Sequence, residues 1–120
     1  MRNVSVIGAV LVALGAASAA HADTAPATFV RCAICHNAEK GAPDKLGPNL
    51  WGVYGTVAGT HGKFAYSKAL KASKLKLDEA GLDKWIENPM ATVPGTMMSF
   101  PGIKDAAKRK ELIDYLKKQR

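Results

Sequence analysis

Cysteine is scarce in this chain. Two of its 120 residues are cysteine, Cys32 and Cys35, so a scaffold stapled by several disulfides is excluded. Histidine is nearly as thin, with His21, His36 and His61. A structural zinc site wants four ligands, and no second Cys or His pair is present to complete one. No stretch alternates polar and apolar residues well enough to read as a strand, and no strand–helix–strand unit is legible. Repeats and low-complexity tracts are missing. Past residue 22 no segment is apolar enough to cross a bilayer. Acidic residues are outnumbered, with 10 Asp+Glu against 17 Lys+Arg and a net charge of +7. That balance suits an acidic protein partner, an anionic surface or a nucleic acid, with plain solubility as the bland alternative.

The longest apolar run lies at the start. Met1-Arg2-Asn3 is short and positive, Val4 to Ala20 carries no charge, and Ala20-His21-Ala22 has the small-x-small form of a cleavage site. Together they read as a secretory signal peptide, residues 1–22, removed after Ala22. A membrane anchor is the competing reading. The run sits at the short limit for a span, and a cleavage site follows it directly. Export to the periplasm is therefore expected, without stable membrane insertion. Loss of Arg2 lowers the net charge from +7 to +6. Residues 23–120 suffice for one small domain, whose core is marginal unless something large and apolar is added to it.

The most informative residues are Cys32-Ala33-Ile34-Cys35-His36. C-x-x-C-H reads as a site of covalent haem attachment. Two thiols three positions apart can add to the two vinyl groups of one porphyrin. The adjacent His36 can then bind the iron through a neutral imidazole nitrogen. A dithiol redox pair would be expected near a βαβ pattern. A simple disulfide would close so short a loop that it would stabilise little. One haem c, using both cysteines, also supplies the missing core. An exported haem protein has little occasion to meet nucleic acid, and none is expected as a partner.

The remainder reads as short helices and loops. A helix is expected within 24–35, with Pro26 tolerated in its first turn. Residues 37–62 are rich in Gly and Pro and read as loop. Ser67 can cap a short helix over 67–73. Asp78 can cap a helix to Glu87, with Leu82, Trp85 and Ile86 on one face and Pro89 as the stop. Residues 88–102 read as loop, with Pro89, Pro94 and Pro101 along it. Asp105 can cap a last helix with Leu112, Ile113, Tyr115 and Leu116 on its apolar side.

An iron bound by one histidine has a sixth position. The candidates are Met90, Met97, Met98, His61 or nothing. Methionine is more often core filler than ligand. Three of them in one polar, Pro/Gly-rich loop are harder to assign to a core. Thioether ligation raises the reduction potential. Spacing alone leaves Met97 and Met98 equal.

The chain resembles the class I cytochromes c, of the mitochondrial and bacterial c2 type. The resemblance is carried by Cys-Ala-Ile-Cys-His-Asn-Ala-Glu-Lys-Gly at 32–41, Gly-Pro-Asn-Leu at 47–50 and Phe-Ala-Tyr-Ser at 64–67. It continues through Trp-Ile-Glu-Asn-Pro at 85–89, Pro-Gly-Thr-Met-Met-Ser-Phe-Pro-Gly-Ile-Lys at 94–104 and Leu-Ile-Asp-Tyr-Leu-Lys-Lys at 112–118. These segments cover nearly all of residues 23–120 in order. The implied fold is all-α, with short helices and loops wrapped around one covalent haem. In the family the ligand closes the Pro-Gly-Thr-x-Met run, which implies Met98 rather than Met97. The carbonyl of Pro48 is implied to bond the free N–H of His36. Trp85 is implied beside the methionine sulfur, Thr96 near a propionate or a buried water, and Tyr66 on a propionate. Phe29 and Tyr115 are implied to meet where the first and last helices cross.

Departures from the mitochondrial pattern are also visible. Leu77 and Thr56 stand where a Trp and an Arg usually serve the inner propionate, and Leu70 replaces an Asn near the haem. Ser67 or Lys63 are substitute donors. Arg31, Lys45 and Lys104 fall at positions of the cationic docking rim, but Met90, Ala91 and Met97 make its methionine side apolar. The remaining basic excess lies at Lys68, Lys71, Lys74 and Lys76 and in the last helix.

The resemblance implies a monomeric one-electron carrier, not an enzyme, between larger redox proteins. Its partners would be a cytochrome bc1-type donor and an oxidase, reaction centre or periplasmic dehydrogenase. A dedicated cytochrome subunit of one periplasmic oxidoreductase is the alternative that the apolar rim suits. A ligand-binding or peroxidatic haem protein would need an open sixth position, against which the Pro-Gly-Thr-Met-Met run argues.

Overall fold

The structure, a computed structural model, describes residues 15 and 24–120. The expected signal peptide, Gly15 apart, and its cleavage site lie outside the described residues.

Helices form where local caps allow them. The chain enters through a 3-10 turn at Ala27–Phe29 that continues as α1, Val30–Ala33. Pro26 fixes the residue before the turn in an extended conformation, and the helical stretch is shorter than the 24–35 segment expected for it. Neither piece has a side-chain cap, consistent with their brevity. Helix α2, Lys68–Ser73, begins at Ser67, whose hydroxyl accepts from the Leu70 amide. It ends in a left-handed Lys74 at φ 55°, a position usually given to glycine. Helix α3, Glu79–Glu87, begins at Asp78, whose carboxylate accepts from the Gly81 amide. Each such cap is worth about 1 kcal/mol.

The expected loop 88–102 contains a further helix. Pro89 ends α3 and also opens α4, Pro89–Thr92. Asn88 caps α4 by accepting from the Ala91 amide, and a proline at the first helical position loses no hydrogen bond. Helix α5, Ala106–Lys118, starts at Asp105, which accepts from two amides. Among the described residues there is no β-strand, only an isolated antiparallel bridge between Val57 and Lys76. No helix among them is long and apolar enough to cross a membrane.

The short helices close on one core. Helix α5 packs on α3 and on the N-terminal turn. Leu82 and Ile86 from α3 meet Leu112, Ile113 and Leu116 from α5, with Phe29 from the entry turn. Phe29 and Tyr115 meet edge to face, ring centroids 5.1 Å apart, an arrangement worth about 0.5–1.5 kcal/mol beyond the area it buries. The loop 37–62 is bound by its backbone instead. The Gly55 amide donates to Leu77 O, the Leu77 amide to Thr56 O and the Ala58 amide to Leu75 O, at 2.7–2.8 Å. The helices and this loop surround an apolar cavity, which is where the sequence motifs converge.

Candidate functional site

The C-x-x-C-H run is shaped by one helical turn. The amides of Cys35 and His36 both donate to Cys32 O, at 3.0 and 2.9 Å. Cys32 and His36 are thus one turn apart on the same side of the chain. The ammonium of Lys45 donates to Ala33 O at 2.6 Å and covers the helix end. Both thiols are free and half-buried. Burial raises the Cys32 thiol above its ordinary range, partly countered by Arg31.

His36 is held in one orientation. Its Nδ1 lies 2.7 Å from the Pro48 carbonyl oxygen. A carbonyl can only accept, so Nδ1 carries the proton and Nε2 keeps its lone pair. Nε2 has no hydrogen-bond partner among the described residues. Burial lowers the imidazole below its ordinary value; the Pro48 bond opposes this, and Lys45 adds to it. The ring is therefore neutral near pH 7, the form that binds metals. Gly47 makes the geometry possible. A β-carbon there would stand 2.3 Å from the ring's Cε1 and 2.7 Å from Nδ1. A side chain at 47 and the observed ring cannot coexist.

Both cysteines and His36 open onto a cavity of about 690 Å³. Met97, Met98, Trp85, Tyr66 and Thr96 line other parts of it. The two methionines differ: Met97 is 69% exposed, whereas Met98 is half-buried. Thr96 turns its hydroxyl toward the backbone, where Oγ1 accepts from the Met98 amide at 3.3 Å. The Tyr66 hydroxyl donates to His61 O, and burial with nearby Asp44 raises its phenol above the ordinary range. That bond uses the hydroxyl's one hydrogen, so a propionate would have to take it from His61 O. Thr56 spends its hydroxyl on Val53 O, and Leu77 is buried, so neither presents a donor to the cavity. Ser67, as the α2 cap, also lines the cavity and retains its hydroxyl hydrogen; Lys63 is exposed and does not line it.

The rim has a character that residue-by-residue reading missed. Ile34 and Leu46 border the cavity and are 70% and 81% exposed. Together with Met97 they make the mouth apolar. Of the three cations expected at the rim only Arg31 borders the cavity, Lys45 and Lys104 do not line it, and all three are restrained. Arg31 lies over the Phe100 ring at 4.8 Å, Lys45 is bound to Ala33 O, and Lys104 donates to Glu87 O at 2.6 Å. Met90 is half-exposed on α4 and does not line the cavity. An isolated apolar residue in a sequence reads as core; only the fold turns Ile34 and Leu46 outward.

The donor set fits haem c. It comprises two free thiols, a neutral imidazole with one open lone pair, a half-buried thioether and an apolar cavity within the roughly 300–1,000 Å³ of small-molecule sites. Such a set defines a c-type cytochrome. No protein-family profile matches the chain. Individual relatives do. It is 47% identical over 87 residues to the cytochrome c of Chlamydomonas reinhardtii, covering 72% of this chain and 78% of that one. It is 41% identical over 118 residues to the cytochrome c2 of Rhodomicrobium vannielii, covering 98% and 94%. Among solved structures, cytochrome cH from Methylobacterium extorquens superposes with a TM-score of 0.70 at 46% identity, over 75% of this chain and 90% of that one. The chain belongs to the class I cytochrome c family. Its cofactor is covalently bound haem c, and it is a mono-haem electron carrier rather than an enzyme.

Proposed function

We propose that Cys32 and Cys35 hold the haem through thioether bonds, with His36 and Met98 as axial ligands. The observation that carries this reading is the His36–Pro48 bond, which leaves Nε2 as the ring's only free lone pair. When bound, haem c supplies a one-electron iron couple. The chain's residues hold and tune it. Pro48 makes His36 a stronger donor by taking its N–H. A thioether at the sixth position favours ferrous iron, and an unchanged ligand pair keeps reorganisation small. Half-burial of Met98 against the exposure of Met97 supports the choice between them.

We infer further that the protein works in the periplasm after removal of residues 1–22, as a monomer passing electrons between larger redox proteins. The cytochrome c2 relative aligns over 98% of the chain, which extends the likeness into the N-terminal segment. The donor is of the cytochrome bc1 type or a periplasmic dehydrogenase, and the acceptor an oxidase or reaction centre. Docking uses the cavity mouth, with Met97 and Arg31 on it and Lys45, Lys104 and Met90 beyond. The apolar surface of Ile34, Leu46 and Met97 favours a second reading, in which one periplasmic oxidoreductase is a dedicated partner.

The axial assignment is tested with Met98→Ala and Met97→Ala. Met98→Ala loses the methionine–iron charge-transfer band of the ferric protein, binds added ligands and has a lower potential. Met97→Ala keeps the band. Loss of the band only in Met97→Ala overturns the assignment.

A further inference from the structure

The segment that carries Met98 is closed at its C-terminal end by one buried cation. Arg109, on the first turns of α5, is 7% exposed. Its Nε donates to Asp83 Oδ1 on α3 at 2.7 Å. Its Nη1 donates to Ile103 O at 3.1 Å and to Lys104 O at 2.9 Å. One guanidinium thus joins two helices and the end of the methionine loop. Glu87 and Asp105 add negative charge around it. A lysine could not do the same, since a single ammonium lacks the fork that reaches two directions at once.

The loop end is prepared for this grip. The Ile103 amide donates to Ile86 O at 2.9 Å, and Lys104 reaches Glu87 O. Gly102, at φ +97°, allows the close approach: a β-carbon there would lie 1.9 Å from Glu87 O. Between this anchor and α4, residues 93–101 hold themselves with few bonds. The Thr96 amide donates to Val93 O at 3.1 Å, and the Phe100 amide to Met98 O at 3.0 Å. The loop's own hydrogen bonds are local, and beside the packing of Phe100 on the core and under Arg31 its hydrogen-bonded connection to α3 and α5 is made at Ile103 and Lys104.

We propose that Arg109, with Asp83, is a latch that keeps Met98 over the iron: a positioning pair that sets how readily the methionine loop lets its ligand go. The proposal rests on Met98 being the sixth ligand. Opening the latch leaves the Ile103 and Lys104 carbonyls at the loop end, and the Asp83 carboxylate on α3, without their donor. The loop end then competes poorly against water or another ligand for the iron's sixth position.

The test uses the ferric holoprotein. The charge-transfer band of the methionine–iron bond is followed as pH is raised, in the parent and in Arg109→Met, Arg109→Lys and Asp83→Asn. Loss of charge-assisted bonds makes ligand release about tenfold easier, which moves the midpoint down by about one pH unit if release is tied to one proton. Arg109→Met and Asp83→Asn show that shift, and Arg109→Lys a smaller one. Amide hydrogen exchange at Ile103 speeds up in step. Phe29→Leu is the comparison, because it loosens α5 at its other contact, and it lowers the denaturation midpoint without moving the pH midpoint. A band present in the parent but unmoved in Arg109→Met and Asp83→Asn overturns the latch alone. An equal shift in Phe29→Leu also overturns it, since the effect would then be general stability. A parent without the band overturns the ligand assignment and the latch with it.

Discussion

Replacing Gly47 by alanine drives a methyl group into the His36 ring. The new carbon would stand 2.3 Å from Cε1, 2.7 Å from Nδ1 and 2.9 Å from Nε2, all well inside van der Waals contact. The ring cannot simply turn away, because Nδ1 is bound to Pro48 O at 2.7 Å, one residue further along. Relief must come from breaking that bond or shifting the 47–48 backbone. Overpacking of this kind costs about 1–3 kcal/mol. An alanine also stiffens the unfolded chain, which returns at most about 1 kcal/mol. A net loss of up to about 3 kcal/mol remains, and at a urea slope of about 2 kcal/mol/M it lowers the denaturation midpoint by up to about 1.5 M. The assay is urea unfolding of the ferric holoprotein, read with proton NMR of the axial imidazole. Gly41→Ala is the contrast. It sits at φ +75° with nothing within 4 Å, so it strains the backbone and leaves the His36 signals alone. If Gly47→Ala is as stable as the parent and its imidazole signals are unmoved, the steric account of the proximal side is wrong.

Other outcomes follow from the same geometry. Met97→Lys adds charge to an apolar mouth, so electron transfer to an acidic partner speeds up at low salt and depends more steeply on ionic strength; stopped-flow rates across a salt series check this, and an unchanged slope moves docking elsewhere. Asp78→Ala removes the cap of α3 and lowers stability by about 1 kcal/mol, measured by denaturant unfolding. Tyr66 ionises above the ordinary tyrosine value of about 10, chiefly because it is buried and secondarily because of Asp44. Both causes disfavour the phenolate, so the stability of its neutral form is present below the ordinary value and is lost as pH rises through the raised one. Ultraviolet titration should show Asp44→Asn bringing the midpoint only part of the way back.

Much of this arrangement can be read locally. Ser67, Asp78 and Asp105 cap their helices because a short acceptor side chain before an apolar period serves the orphan amides within its own reach. Cys32 and His36 share a face because four residues make about one turn. Helix α4 was readable too, since Asn88 followed by Pro89 is both a stop and a start; treating Pro89 only as a stop hides it. Other features have no local signal. Lys74 takes a left-handed conformation without glycine, and nothing in its neighbours announces it. Arg109 and Asp83 are 26 residues apart and meet only because α3 and α5 pack together. The outward turn of Ile34 and Leu46 depends on a cavity built from residues far along the chain. Long-range pairing decides these, and periodicity carries no record of it.

Everything proposed for the cavity depends on Cys32 and Cys35 carrying the cofactor. Acid–acetone extraction of the purified holoprotein, followed by mass mapping of its peptides, tests it most directly. With thioether attachment, colour stays with the protein and the peptide containing Cys32, Cys35 and His36 is heavier by one haem, with neither thiol open to alkylation. Pigment released into the acetone, with both thiols free to alkylate, would contradict it.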